Sequence, residues 1–304
     1  MSVKPKNIEG VISVHRIEGL LADSESIPLL VIELPHGATR TEHYMNMAKE
    51  IEGDLLQDLI HFFYVNTDVA SPELAFALAE LLVLSFPKHV VLILQSLIPR
   101  TLIDCNRILT DDQSLYKKGK VTPGIPPYIR NSSDKKWLIE QHQLYQNEVS
   151  KGIDYCCGSG GRALFLHTYA PKSVGIEQVD DDIVTQLHWA YSPEVYERWP
   201  FRPQVDFITR PPNDEILCDT KWHSASELSL KKADFILGTG ESYPLHPVTT
   251  AYHHSKKYPG QTLCLEFRRD LLVKDFTPFE EMKACPEKVR RAALPLRDAL
   301  VSLY

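Results

Sequence analysis

Side chains able to do chemistry stand at the ends of several short apolar runs. His36 follows the run 28–34, PLLVIEL, across Pro35, and Gly37 behind it lacks a Cβ to hold backbone or ligand away. Asp68 follows the run 62–66, FFYVN, and His167 follows 162–166, RALFL. Glu266 lies inside 262–267, TLCLEF, while Arg100, Asp104, Asn106 and Arg107 cluster just past 89–95, HVVLILQ. Two imidazoles and one carboxylate make up the usual protein share of a catalytic zinc site, with the fourth position open to water. Guanidinium forks match carboxylates, so the arginine cluster suits an anionic substrate. Each feature also has a plainer reading. A strand-end histidine can bond a turn, surface arginines are common, and Glu266 can pair with Arg268 or Arg269. Without such a partner, a carboxylate inside an apolar strand is costly to bury unless it serves as an acid or base. Taken together, the groups describe metal-assisted hydrolysis.

The elements that must position them alternate along the chain. Strands are expected at 11–14, 28–34, 62–66, 89–95, 162–166, 233–239 and 262–267. Helices are expected at 41–59, 72–85, 134–149 and 286–300, the last kinked at Pro295. Ser71-Pro72-Glu73 is a helix start with Ser71 as cap, and Ser133 can cap the helix whose core stripe is Trp137, Leu138, Leu144 and Tyr145. This pattern argues for a single α/β domain over 1–304: three layers, with a mixed central sheet flanked by helices. Ligands of open α/β sheets lie beyond the carboxyl ends of the strands, where His36, Asp68 and His167 fall. Loop excursions are expected near 109–130 and 191–232, and the polar stretch 246–254, with Tyr252, can line a site. Gly158–Gly161, GSGG, is spaced as a flexible turn and not as a nucleophile elbow.

Composition narrows the class. The 304 residues carry 40 acidic against 33 basic side chains, so a non-specific nucleic-acid or anionic-membrane partner is not expected. The longest greasy segment, 81–94, is interrupted by Pro87, Lys88 and His89, which argues against a membrane span. The start, MSVKPKNIEG, has no apolar core of a secretory signal. Six scattered cysteines without a C-x-x-C pair read as reduced thiols, and the expected location is the cytoplasm.

The order of these residues resembles the N-formylglutamate amidohydrolases. Leu34-Pro35-His36-Gly37-Ala38 matches their S/I-P-H-x-G stretch at Pro35 and His36, with Gly37 one place before the motif's glycine, and Thr67-Asp68 matches a T-D pair ahead of a helix. Arg100 through Asp104 and Asn106 to Arg107 matches R-x-x-x-D-x-N-R. Phe165-Leu166-His167-Thr168 matches D-x-H-S in part, since Phe165 stands where the acid would be, and Cys264-Leu265-Glu266 matches Q-x-E at its glutamate. The order is also similar to the more distant zinc carboxypeptidases and aspartoacylases, through His167-Thr168-Tyr169 and Glu266-Phe267-Arg268. Carboxypeptidases take two ligands from H-x-x-E, but Thr39 stands three residues after His36, so the carboxylate ligand is expected from Asp68 in preference to Glu42.

The resemblance implies a zinc-carboxypeptidase-like fold, one Zn²⁺ per chain on His36, Asp68 and His167, and Glu266 as the base. Arg100 would stabilise the oxyanion, while Arg107, helped by Asn106, and Tyr252 would bind a small carboxylate substrate, N-formylglutamate or another N-acyl amino acid. A carboxypeptidase- or deacylase-like enzyme acting on a peptide is the nearest alternative. A non-catalytic domain that binds an acidic ligand is the alternative from another class. The oligomeric state is not legible.

Overall fold

Seven consecutive residues of the run 28–34 are buried, because the strand has a neighbour on each edge and helices on both faces. The computed structural model describes residues 3–110, 122–176 and 178–304. Its seven-stranded mixed sheet is built from β1 (Ile12–Glu18), β2 (Pro28–Leu34), β3 (Val90–Ser96), β4 (Arg162–Tyr169), β5 (Val205–Phe207), β6 (Leu237–Thr239) and β7 (Thr262–Arg268), in the order β1-β3-β2-β4-β7-β5-β6. The centre, β3-β2-β4-β7, is parallel; β1 and β5 pair antiparallel to it.

Helices α1 (Thr41–Ala48), α2 (Leu59–Asn66), α3 (Ser71–Ser85), α4 (Ser132–Cys157), α5 (Ile183–Ala190), α6 (Pro193–Tyr196), α7 (Thr220–Lys232), α8 (Thr250–Lys257) and α9 (Pro286–Val301) surround the sheet. Strand alternation divides the core. Leu30, Ile32, Leu34, Leu164 and Leu265 pack with α3 and α9 residues on one face, while Val31, Phe165 and Cys264 pack with Leu138, Tyr145 and Val149 of α4 on the other. Among the described residues no helix is long and apolar enough to cross a membrane.

Several local expectations are corrected. The run 62–66 is not a strand but the second half of α2. Its short apolar string fits either period, and the spacing of buried Leu59, Phe62 and Phe63 is helical. The helix expected at 41–59 stops at Ala48, and beyond it the amides of Glu52 and Gly53 donate to the Asp134 carboxylate in place of helical carbonyls. Ala70, at φ +66°, precedes α3, so Ser71 is its first residue and not its cap. Asn131, not Ser133, caps α4: its side chain accepts from the amides of Ser133 and Asp134. Leu144 is 40% exposed, off the core stripe. The stretch 191–232 contains α6, β5 and all of α7, and within the polar stretch 246–254 residues 250–254 begin α8. Of the loop expected at 109–130, residues 111–121 lie outside the described residues.

The GSGG turn is tighter than a flexible linker. Gly160 takes φ +89°, and a Cβ on Gly161 would lie 2.6 Å from Cys156 Sγ and 2.7 Å from the carbonyl oxygen of Pro28. The turn therefore clamps the end of α4 to the start of β2. Gly161→Ala should destabilise the protein by about 1–3 kcal/mol in chemical denaturation, the range for overpacking against atoms that cannot move aside.

Candidate metal centre

His36 leaves β2 in a tight turn: the Gly37 amide donates to Leu34 O at 3.1 Å, and Gln95 Nε2 donates to Gly37 O at 2.8 Å. A Cβ on Gly37 would stand 2.7 Å from Gln95 Cγ, so the glycine sets how closely the turn packs on β3. Asp68 arrives from the other side, past the end of α2. Thr67 Oγ1 donates to Ala38 O at 2.7 Å and the Asp68 amide to His36 O at 3.3 Å, which stitches the two turns together. His167 comes from β4 itself, in register with Glu266 of β7, and the two side chains share a face of the sheet. Thr168 Oγ1 donates to Val69 O at 2.9 Å, tying the strand end to the Asp68 turn.

These three segments bring His36, Asp68 and His167 together. Nδ1 of His36 is 3.3 Å and Nδ1 of His167 is 3.0 Å from the same oxygen, Asp68 Oδ2. One ligand atom from each lies within 4.8 Å of the others, and each residue is 3% exposed. Among the described residues no other group of histidine, cysteine and acid gathers this way. Nε2 of His36 lies 2.8 Å from Asp104 Oδ1. When that nitrogen donates its proton to Asp104, Nδ1 presents a lone pair toward Asp68, which is how a metal-ligating histidine is held. The donor set fits a divalent cation that accepts nitrogen and oxygen ligands.

Charges around the centre reinforce one another. Burial pushes Asp68 upward, but His36 and His167 overcome it and hold the carboxyl well below its usual range. Burial likewise opposes ionised Asp104, and Arg100, Arg107 and His36 keep it ionised. Burial works against a charged His167, yet Asp68 and Glu266 hold its pKa well above the ordinary value; a site that favours a proton so strongly also favours a cation in its place. Arg269, 3% exposed, donates to the carbonyls of Val65 and Thr168 and stands 3.7 Å from Asp68 Oδ1.

Glu266 sits beside this group. Burial pushes its carboxyl up to about 7 against the pull of His167, and its Oε2 is buried without a partner. Neither neighbouring arginine takes it, since Arg268 bonds Asp270 through Nε and Nη2 and Arg269 turns to the Asp68 side. Arg100 donates from Nε to Asp104 Oδ2 at 3.0 Å and feels the charges of Asp68 and Glu266. Asn106 accepts from Thr250 Oγ1 at 3.1 Å, leaving its amide N–H groups to other acceptors. Arg107 is 7% exposed and donates to Thr122 O and Asn106 O, with Nη2 at 3.5 Å from Asp104. Tyr252, 8% exposed, packs in the core at the first turn of α8. Glu42, weighed against Asp68 as a ligand, is an exposed residue of α1.

Sequence reasoning passed over three groups. Asp104 was one polar residue of a cluster and proves to be the partner of His36. Arg202, inside the expected excursion 191–232, stacks over Tyr169 at 5.0 Å and Tyr243 at 5.3 Å and pulls on Glu266. Glu33, the next-to-last residue of β2, is 1% exposed and accepts from Tyr145 Oη at 3.1 Å. The rule that singled out Glu266, an acid inside an apolar strand, applies to it equally.

No family model matches this chain, and no curated protein matches it. Among solved structures, it is similar to an N-formylglutamate amidohydrolase from Ralstonia eutropha JMP134, with 15% identity and a TM-score of 0.59 over 97% of each chain. It is also similar to a gene product of Agrobacterium tumefaciens, with 14% identity and a TM-score of 0.53 over 95% of this chain and 93% of that one. At these identities the likeness establishes the fold.

Two measurements follow from the geometry. Asp104→Asn, which weakens the hold on His36 Nε2, should lower the affinity for Zn²⁺ by roughly 10–100-fold in competition with a chromophoric chelator. Burial pushes Glu33 from 4.5 up to about 7, against His167 and Tyr145. The folded protein then keeps a proton that the unfolded chain has lost, so this group takes away stability as pH rises between those values. Glu33→Gln should match the wild type in urea denaturation at pH 4 and exceed it at pH 8.

Proposed function

We propose that this protein is a zinc-dependent hydrolase of an amide bond next to a carboxylate, acting on an N-formyl or other N-acyl amino acid in the cytoplasm. The observation that carries the reading is the register of β4 and β7: it sets Glu266, with one oxygen unpartnered, beside a buried His-Asp-His group. The fold likeness to an N-formylglutamate amidohydrolase supports the acyl chemistry, and six free thiols suit a reducing compartment.

His36, Asp68 and His167 would hold the ion, one per chain. Bound there, Zn²⁺ supplies Lewis acidity that makes water a stronger acid and a carbonyl a better electrophile. Glu266 takes the proton of the attacking water and passes it to the departing amine, a task for which a carboxyl titrating near 7 is suited. Arg100, its Nε fixed by Asp104, directs its remaining N–H groups to the oxygen that gains charge as the carbonyl is attacked. Asn106, oriented by Thr250, donates to the substrate carboxylate, and Arg107 adds its charge behind Asn106. Tyr252, two residues after Thr250 on α8, would contribute to the same substrate-binding side.

A panel of N-formyl, N-acetyl and peptidyl amino acids tests the proposal. Formyl and acetyl compounds should be hydrolysed, and a chelator should abolish turnover. Preference for peptides would move the protein to the carboxypeptidase-like reading; hydrolysis of none, with no bound metal, would make it a binding domain. Glu266→Gln should retain zinc and lose kcat by about 10²–10⁴-fold. In the wild type, kcat/KM should fall as pH drops below about 7, where Glu266 gains a proton.

A further inference from the structure

The two imidazoles of the candidate centre are held differently. His36 has a carboxylate, Asp104, on the nitrogen that faces away from Asp68. His167 has its Nδ1 toward Asp68, but its Nε2 is buried with no nitrogen or oxygen partner, and the polar group against the ring is the thiol of Cys264. A ligating Nδ1 must be bare, so the ring proton has to sit on Nε2, and a buried N–H without an acceptor is costly.

One carboxylate oxygen on the same face is in the complementary position. Glu33 of β2 is in register with Phe165 of β4, two residues before His167, so all three side chains project toward α4. Tyr145 Oη donates to Glu33 Oε1, and Oε2 is buried with no partner. Glu33 and His167 interact electrostatically, and Phe165, between them along β4, has no polar atom to compete. The thiol of Cys264, in register with Phe165 from β7, also borders His167, but it is a weak acceptor and burial keeps it neutral.

We infer that Glu33 is the positioning residue of His167: its free oxygen, not bonded to the ring in this structure, accepts the Nε2 proton when the cation binds, by a side-chain shift or across one water, and so keeps Nδ1 turned to the cation. Tyr145 fixes the other oxygen of the carboxylate, so a helix on the far side of the core helps orient the ligand. This inference rests on reading His36, Asp68 and His167 as a metal centre.

The test is Zn²⁺ affinity, read by chelator competition on the full-length wild type, Glu33→Gln and Cys264→Ala, together with ¹⁵N correlation spectra of the histidine rings. Glu33→Gln should bind about 10–100-fold more weakly without loss of thermal stability in the zinc-free protein, and Cys264→Ala should bind within threefold of wild type. The zinc-loaded wild type should show His167 protonated at Nε2, with that proton shifted downfield by a charged acceptor; this reading stands even if Glu33→Gln fails to fold. Unchanged affinity in Glu33→Gln, or an Nε2 proton with no downfield shift, overturns the inference and leaves the metal centre intact. A loss confined to Cys264→Ala overturns it in favour of the thiol. Failure of the wild type to bind Zn²⁺ overturns the metal centre itself.

Discussion

One carboxylate oxygen shared by two buried imidazoles is the constraint on which the rest of this structure depends. Asp68 is a charged group at 3% exposure, and a charge taken out of water needs compensation from every side. The protein supplies it with His36 and His167 on Oδ2 and with Arg269 near Oδ1. Each compensating group is itself buried and needs its own partner. Asp104 holds His36, Arg100 and Arg107 hold Asp104, and the carbonyls of Val65 and Thr168 hold Arg269. The polar network thus spreads outward from one atom through an otherwise apolar sheet end. That cost is understandable where a divalent cation completes the charge balance.

Sheet topology makes the gathering possible. The three groups are far apart in sequence, yet β2 and β4 are adjacent parallel strands, and both deliver their chemistry at the same end. The chain between α2 and α3 crosses over that end, with Thr67 and Thr168 fastening it to both strands. β7 then adds Glu266 at the level of His167, and antiparallel β5, on the other side of β7, sets Asp206 opposite Glu266. Parallel strands place successive functional groups at one edge of the sheet without any local sequence motif to announce it.

What the sequence discloses follows from what each signal can distinguish. The strands at 28–34 and 262–267 were legible because both their faces are buried, which leaves an apolar string broken only by one acid each and, at 262, a threonine. The string 62–66 is just as apolar, but it ends a helix whose start at Leu59 only tertiary packing marks. β5 is three residues long, too short for any period to show, and so the excursion at 191–232 hid a strand. Among the site groups, His36, Asp68, His167 and Glu266 were found by looking at the ends and interiors of apolar runs. Asp104, Glu33 and Arg269 act through other side chains, and a partner 68 residues away in the chain, as Asp104 is from His36, leaves no spacing to read.

X-ray absorption at the zinc edge of the purified protein examines the ligand set itself. The account predicts a first shell of nitrogen and oxygen only, with the multiple-scattering pattern of two imidazoles and no sulfur. A sulfur ligand, a single imidazole, or no zinc in the protein would contradict it.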